Sequence, residues 1–203
     1  MEKTLTPEQI AELKEKIKKM SPEELKEFQK KQCIFCQIKE GKVSARSVYE
    51  DELSLAILDI NPANPGHILL IPKEHYTILP QVPLNEIHHL AMVAKKLSNA
   101  ALRALDARGT NILIANGVAA GQKAQHLMVH IIPRKEKDSI AFDIPQKEHS
   151  MEELEGIRLK LESKLGIPEA KRDAQKEFLK RVQKKENIDL DSISSLFTGG
   201  KDE

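Results

Sequence analysis

Two cysteines and seven histidines are the side chains of this sequence best suited to chemistry, and several fall at telling intervals. Cys33-Ile34-Phe35-Cys36 is a Cys-x-x-Cys pair, a spacing that offers two thiolates to a tetrahedral zinc but is shared with thiol redox sites. A redox pair is expected where a strand feeds a helix in a βαβ unit, whereas this one follows a charged helical stretch. The chain has no third cysteine, so histidines must complete a four-ligand set. His88 and His89 fall off the apolar stripe of a long helix and are expected at the surface, and His149 sits in a charged linker. His67, His75, His126 and His130 adjoin expected strands, and residue pattern alone does not choose among them.

His126-Leu127-Met128-Val129-His130 reads as a strand, in which alternate side chains share a face. Leu127, Val129 and Ile131 then point to an apolar side, and His126, Met128 and His130 line one wall. The preceding loop contains Gly117, Ala119, Ala120 and Gly121, small residues that let backbone approach a ligand. Two satisfied core histidines would be the plain reading of either one alone. Three same-face positions beside such a loop and a Cys-x-x-Cys pair point instead to a site.

The elements that must hold these residues can be read from periodicity. Ser47–Asp51 and Leu53–Ile60 form an expected strand pair around an acidic turn, and residues 61–66, with two prolines and a glycine, form a loop. His67–Pro72 resumes a buried strand. Ile87, Leu90, Ala94, Leu97, Ala101 and Leu105 mark one face of a helix ending at Gly109. A strand over Thr110–Ala115 and another from about Ala124 to Pro133 follow, and short turns separate several strands. The pattern favours an α+β fold with an antiparallel sheet over a doubly wound one. Charge density divides the chain into three parts. Residues 1–32 form a charged helical extension, 33–148 the expected globular domain, and 149–203 a second charged helical extension. Capping boxes at Thr6, Ser21 and Ser150 open helices, Ile10, Leu13 and Ile17 recur at helical spacing, and Pro168 opens a further helix.

The balance of 32 Lys+Arg against 31 Asp+Glu gives no bulk electrostatic case for nucleic acid or an anionic membrane. No stretch approaches the roughly 20 apolar residues of a membrane span, and the first residues lack the apolar core of a secretory signal. A cytoplasmic protein is expected, in which two cysteines serve as metal ligands before they serve as a disulfide.

From about Cys33 to Arg134 the sequence resembles the histidine triad (HIT) family. The resemblance is carried by Cys33-Ile34-Phe35-Cys36, Asp59-Ile60-Asn61-Pro62, Pro65-Gly66-His67 through Pro72-Lys73, and Ala120-Gly121-Gln122 through His126, His130 and Pro133-Arg134. It implies a five-stranded antiparallel sheet with a long helix, doubled into a homodimer. It also implies a site for a purine nucleotide or nucleoside phosphate, cleaved at the α-phosphorus through a nucleotidyl-histidine. A structural Zn2+ is implied on Cys33, Cys36, His75 and His126. Ile34, Phe35, Ile38 and Ile60 match positions that sandwich the base, Asp59 the residue that bonds the ribose hydroxyls, and Gln122 a loop residue near the phosphates.

Three positions depart from the family pattern. The middle histidine, the nucleophile of the family, corresponds to Met128. A thioether is a weak acceptor without a titratable proton and does not replace an imidazole in covalent catalysis. The amide that helps hold phosphate corresponds to Ala115, with Asn116 one step along, and the Ser or Thr near the leaving group corresponds to Lys123. His130 remains as a candidate catalytic residue, but it lies two residues, roughly 6.6 Å, along the strand from position 128. The expected function is nucleotide binding, with hydrolase or transferase activity in doubt. The alternatives are a non-catalytic nucleotide sensor or an interaction scaffold built on the same fold.

Overall fold

The structure is a computed structural model that describes residues 6–142 and 144–166. The chain divides into two compact units, residues 1–142 and 143–203. In the first, α1 (Pro7–Lys18), α2 (Pro22–Gln32) and α3 (Ile34–Lys39) precede the sheet. The side chains of Ile10 and Leu13 lie outside those described. Ser21 caps α2 as its sequence predicts. Its Oγ accepts from the Glu24 N–H at 3.2 Å, and Glu24 accepts from the Ser21 N–H at 2.8 Å, so two otherwise unpaired donors are satisfied.

The sheet has five antiparallel strands: β1 (Ser47–Glu50), β2 (Ser54–Leu58), β3 (Ile68–Pro72), β4 (Gly109–Leu113) and β5 (Val129–Arg134), in spatial order β1-β2-β3-β5-β4. The fold class is thus α+β, as expected. Alternation along the strands produces two apolar faces. Ala56, Ile68, Leu70, Leu127, Val129 and Ile131 pack beneath α4 (Leu84–Ala104) against Leu90, Val93, Ala94 and Leu97. Leu55, Ile57, Leu69 and Ile71 form the opposite face, covered in part by Phe35 and Ile38 of α3 and by Met128. Leu70 is wholly buried, so Leu70→Ala costs about 2–5 kcal/mol.

Three sequence expectations change at element ends. The long helix stops at Ala104, because the Leu105 N–H makes the last helical bond, to Ala101, and Asp106 turns the chain at φ 54°. Gly109 instead opens β4. Strand β2 ends at Leu58, so Ile60 leaves the sheet and is 90% exposed. Strand β5 begins at Val129, and residues 124–128 carry no ladder. Its partner β3 ends at Pro72, after which the Leu127 N–H bonds the Tyr76 carbonyl at 2.6 Å instead. Side chains 126–130 nevertheless keep their strand-like alternation.

His89 is also not a free surface residue. Its Nε2 lies 2.8 Å from Asp51 Oδ2, and Asp51 also accepts from the Tyr49 hydroxyl and from the Leu53 and Ser54 N–H groups. The β1–β2 turn is thereby clasped to α4. His88, by contrast, is exposed.

In the second unit, Ser150 caps α5 (Met151–Leu165), with its capping box formed by Glu153 and its C-terminus closed by Gly166 in the left-handed conformation. The helix expected from Pro168 lies outside the described residues. Among the described residues, no helix is long and apolar enough to cross a membrane.

Candidate metal centre and ligand cleft

Helix α3 begins immediately after Cys33, so both thiols stand at its first turn. His75 comes from the loop after β3, and His126 from the segment before β5. The four ligand atoms lie within 4.8 Å of one another, and all four residues are buried. Cys33 Sγ is 3.4 Å from His126 Nδ1, Cys36 Sγ 3.3 Å from His75 Nδ1, and Cys36 Sγ 3.8 Å from His126 Nδ1. A tetrahedral zinc with ordinary Zn–S and Zn–N bonds places sulfur and nitrogen about 3.6 Å apart, so these separations fit.

The chemistry of the donors fits as well. His126 Nε2 lies 3.0 Å from the Pro72 carbonyl, which can only accept, so Nδ1 is left with its lone pair toward the thiols. Burial pushes His126 down to about 4 and lowers His75, keeping both rings in the neutral, ligating form. Burial, with Cys33 adding, pushes the Cys36 thiol up to about 12. Paired thiolates in such a place need a cation. All four donor residues are buried, and four ligands leave no position for a substrate, so the cluster fits a structural metal.

Beside this cluster opens a cavity of about 400 Å³, within the range of small-molecule sites. Phe35, Asp59, His67, Lys123, Met128 and His130 are among its lining residues. Gly66 delivers His67 to this wall. Its φ of 84° lies in the left-handed region that favours glycine, and a Cβ there would also push aside the tip of the Leu105 side chain.

His67 and His130 form a relay that the sequence did not single out. His67 Nε2 lies 3.1 Å from His130 Nδ1. The Ala63 N–H donates to His67 Nδ1 at 3.2 Å. Asp59 Oδ2 stands farther from the same atom, at 3.4 Å; with the N–H donor nearer, we assign Nδ1 as the acceptor of the neutral ring and the proton to Nε2, which donates to His130 Nδ1. His130 then carries its own proton on Nε2. Burial lowers both histidines below their ordinary value, against an opposing effect of Asp59, so the neutral forms hold at pH 7. In the sequence His67 stands out as one of four histidines adjoining expected strands and as part of the Pro65-Gly66-His67 stretch of the family resemblance, with no sign of its pairing to His130.

The structure gathers some expected ligand-binding residues and disperses others. Phe35, Asp59, Gln122, Lys123, Met128 and His130 line the cavity. Gln122, however, has its side chain committed to backbone: Oε1 accepts from the Gly117 N–H, and Nε2 donates to the Thr77 and Ala124 carbonyls. It braces the loop. Asn116 lies outside the cavity lining, its Oδ1 accepting from the Leu79 N–H at 2.9 Å. Ile38 packs in the apolar layer, Ile34 lines a neighbouring hollow, and Ile60 faces solvent. Ala115 does line the cavity and has no polar atom on its side chain to offer there.

The fold and the cavity together define an α+β domain with a histidine-lined cavity and a buried Cys2His2 cluster. A model of the HIT domain matches residues 40–137. The chain is 40% identical over 119 residues to adenylylsulfatase HINT3 of Arabidopsis thaliana, a match covering 59% of this chain and 60% of that one. It is 33% identical to adenosine 5'-monophosphoramidase hnt1 of Schizosaccharomyces pombe, covering 66% of this chain and 98% of that one. A HIT family protein from Bacillus anthracis superposes with a TM-score of 0.59 at 35% identity, covering 65% of this chain and 96% of that one. A Zn-bound histidine triad family protein from Mycobacterium smegmatis gives 0.53 at 38% identity, covering 58% and 86%. The chain belongs to the HIT family.

Proposed function

We propose that this protein binds a nucleoside phosphate in the cleft between α3 and the histidine wall, without forming a nucleotidyl-histidine. The observation that carries this reading is the hydrogen-bonded state of the wall. His126 has one nitrogen on the Pro72 carbonyl and the other on the thiol cluster. His130 has Nδ1 occupied by His67 and a proton on Nε2. Between them stands the thioether of Met128, packed on the apolar layer. No imidazole lone pair is presented where the family uses one, whereas His130 Nε2–H and the Lys123 ammonium are both donors suited to a phosphate. Phe35 offers a ring for the base and Asp59 a carboxylate for the ribose. The adenylyl substrates in the names of the Arabidopsis and fission yeast relatives support a nucleotide ligand.

Those names also favour a second reading, release of the nucleoside monophosphate by water. In it a water oxygen bonds to phosphorus as the bond to the leaving group breaks, one proton of that water passes to the leaving group and the other stays on the new phosphate oxygen until it is released to solvent, while His130 Nε2–H hydrogen-bonds the phosphate as charge builds there. Calorimetry with AMP tests binding, and incubation with adenosine 5'-phosphoramidate tests turnover. Measurable AMP affinity without AMP release or a covalent adduct supports the first reading. AMP release abolished by His130→Ala supports the second. No binding at millimolar AMP overturns both.

A Zn2+ on Cys33, Cys36, His75 and His126 is part of this proposal, supported by the sulfur–nitrogen spacing and the Zn-bound Mycobacterium relative. A homodimer is supported by the free edge of β4, where Ile112, Leu113 and Ile114 are 48%, 37% and 37% exposed beside an apolar groove lined by Leu79, Ile87 and Ala91. A cysteine pair placed to hold a metal suits a reducing compartment such as the cytoplasm. The assignment of residues 33–148 as the nucleotide-binding domain, with helical extensions on either side, belongs to the same proposal.

A further inference from the structure

Helix α2 lies outside the segment matched by the HIT domain, yet it builds a second hollow against the cleft. Six of its eleven residues are charged: Glu23, Glu24, Lys26, Glu27, Lys30 and Lys31. The uncharged ones after Pro22 are Leu25, Phe28, Gln29 and Gln32, spaced i, i+3, i+4 and i+7, and so share one face. Leu25, Phe28 and Gln29 on that face are half-buried against the domain, and Phe28, Gln29 and Gln32 line a hollow of about 310 Å³ together with the metal-cluster residue Cys33, Ile34, Ala124 and Gln125. The carboxamides of Gln29, Gln32 and Gln125 border this hollow, those of Gln32 and Gln125 exposed, and make no hydrogen bond to protein among the described residues.

The hollow adjoins the proposed nucleotide cleft. Ala124 lines both, and Ile34 precedes Phe35, which lines the cleft. Lys123, next to the shared Ala124, lines the cleft and makes no ion pair among the described residues. A phosphate near Lys123 would therefore stand at the boundary, with its nucleoside on one side and its other substituent on the α2 side.

We infer that the hollow between α2 and the Ala124–Gln125 turn is a second subsite, which takes an uncharged aromatic group carried on the far side of the ligand's phosphate. The inference rests on the nucleotide-binding reading of the cleft. Phe28 and Ile34 supply apolar contact for a ring. The three carboxamides offer donors and acceptors to ring heteroatoms without attracting charge, and the lining contains no Asp, Glu, Lys or Arg to hold an ionic substituent.

The test uses the full chain and two stable phosphodiesters of equal charge, the methyl and benzyl 5'-esters of AMP, with AMP itself as reference. Calorimetry should show the benzyl ester binding about tenfold tighter than the methyl ester, the increment expected for burying most of a ring. Phe28→Ala should erase that ratio while leaving the methyl ester's affinity unchanged. Gln125→Glu, an exposed substitution that leaves the fold intact, should lower the ratio and serves if Phe28→Ala does not fold. Equal affinities of the two esters for the native chain would overturn the subsite, as would a ratio unmoved by both variants. Failure of AMP and both esters to bind would overturn the nucleotide reading itself, a result distinguishable from loss of the ratio alone.

Discussion

Replacing His67 by phenylalanine is the sharpest probe of the relay. The ring volume is kept, so no large cavity opens, but both nitrogens are lost. The Ala63 N–H sits at an exposed backbone position and can turn to water. His130 Nδ1, in a half-buried ring, loses its partner at 3.1 Å. Leaving such an atom unpaired costs about 1–3 kcal/mol, which corresponds to a fall in Tm of roughly 5–10 °C for a domain of this size. The effect on the site is separate. Without His67 Nε2–H, nothing fixes the tautomer of His130, and a phosphate that uses its Nε2–H should bind about tenfold more weakly. Proton–nitrogen correlation spectra of the imidazoles at neutral pH read the tautomer directly, and calorimetry with AMP reads the affinity. The native protein should show the proton of His130 on Nε2, and His67→Phe should show a mixture. A native His130 protonated at Nδ1 would refute the reasoning, as would a variant whose spectrum and affinity match the native protein.

Other outcomes follow from the same structure. His67 and His130, outside the metal cluster, are both held below their ordinary value by burial. The unfolded chain therefore binds more protons just below pH 6.5, so stability should be full above that pH and fall as pH drops below it; thermal unfolding across that range checks it. Elemental analysis should find one zinc per chain, and chelation or Cys36→Ser should remove it and lower the Tm by more than His67→Phe does. Gly66→Ala should destabilise the domain by about 1–2 kcal/mol, since the left-handed turn opposes a Cβ while the exposed Leu105 side chain can move aside, as read by denaturant unfolding. Leu113→Asp on the β4 edge should yield a monomer by light scattering if the native chain pairs there.

Much of this was legible in the sequence, and the limits are instructive. Cys-x-x-Cys announced itself by spacing, and alternation along 126–130 survived even where the ladder did not, because it is fixed by the apolar layers on the two sides. Residue pattern left the histidine ligands open, and only the family resemblance selected His75 and His126. That choice depends on which loop meets α3 in space, a long-range fact. His89 was misread because its partner Asp51 comes from a turn 38 residues away. Gln122 and Asn116 were legible as polar loop residues but not as braces, since their partners Thr77 and Leu79 belong to a distant segment. Ile60 had the right residue type for a base contact, but β2 ends two residues before it.

The segment before β5 keeps its anchors apart from the side chain at 128. Position 128 is fixed from both neighbours: residue 127 hangs from the Tyr76 carbonyl, and the residue before that is clamped at both of its nitrogens. The side chain at 128 takes no part in those hydrogen bonds, so a change there is felt through the apolar layer on which it packs and not through the anchors on either side.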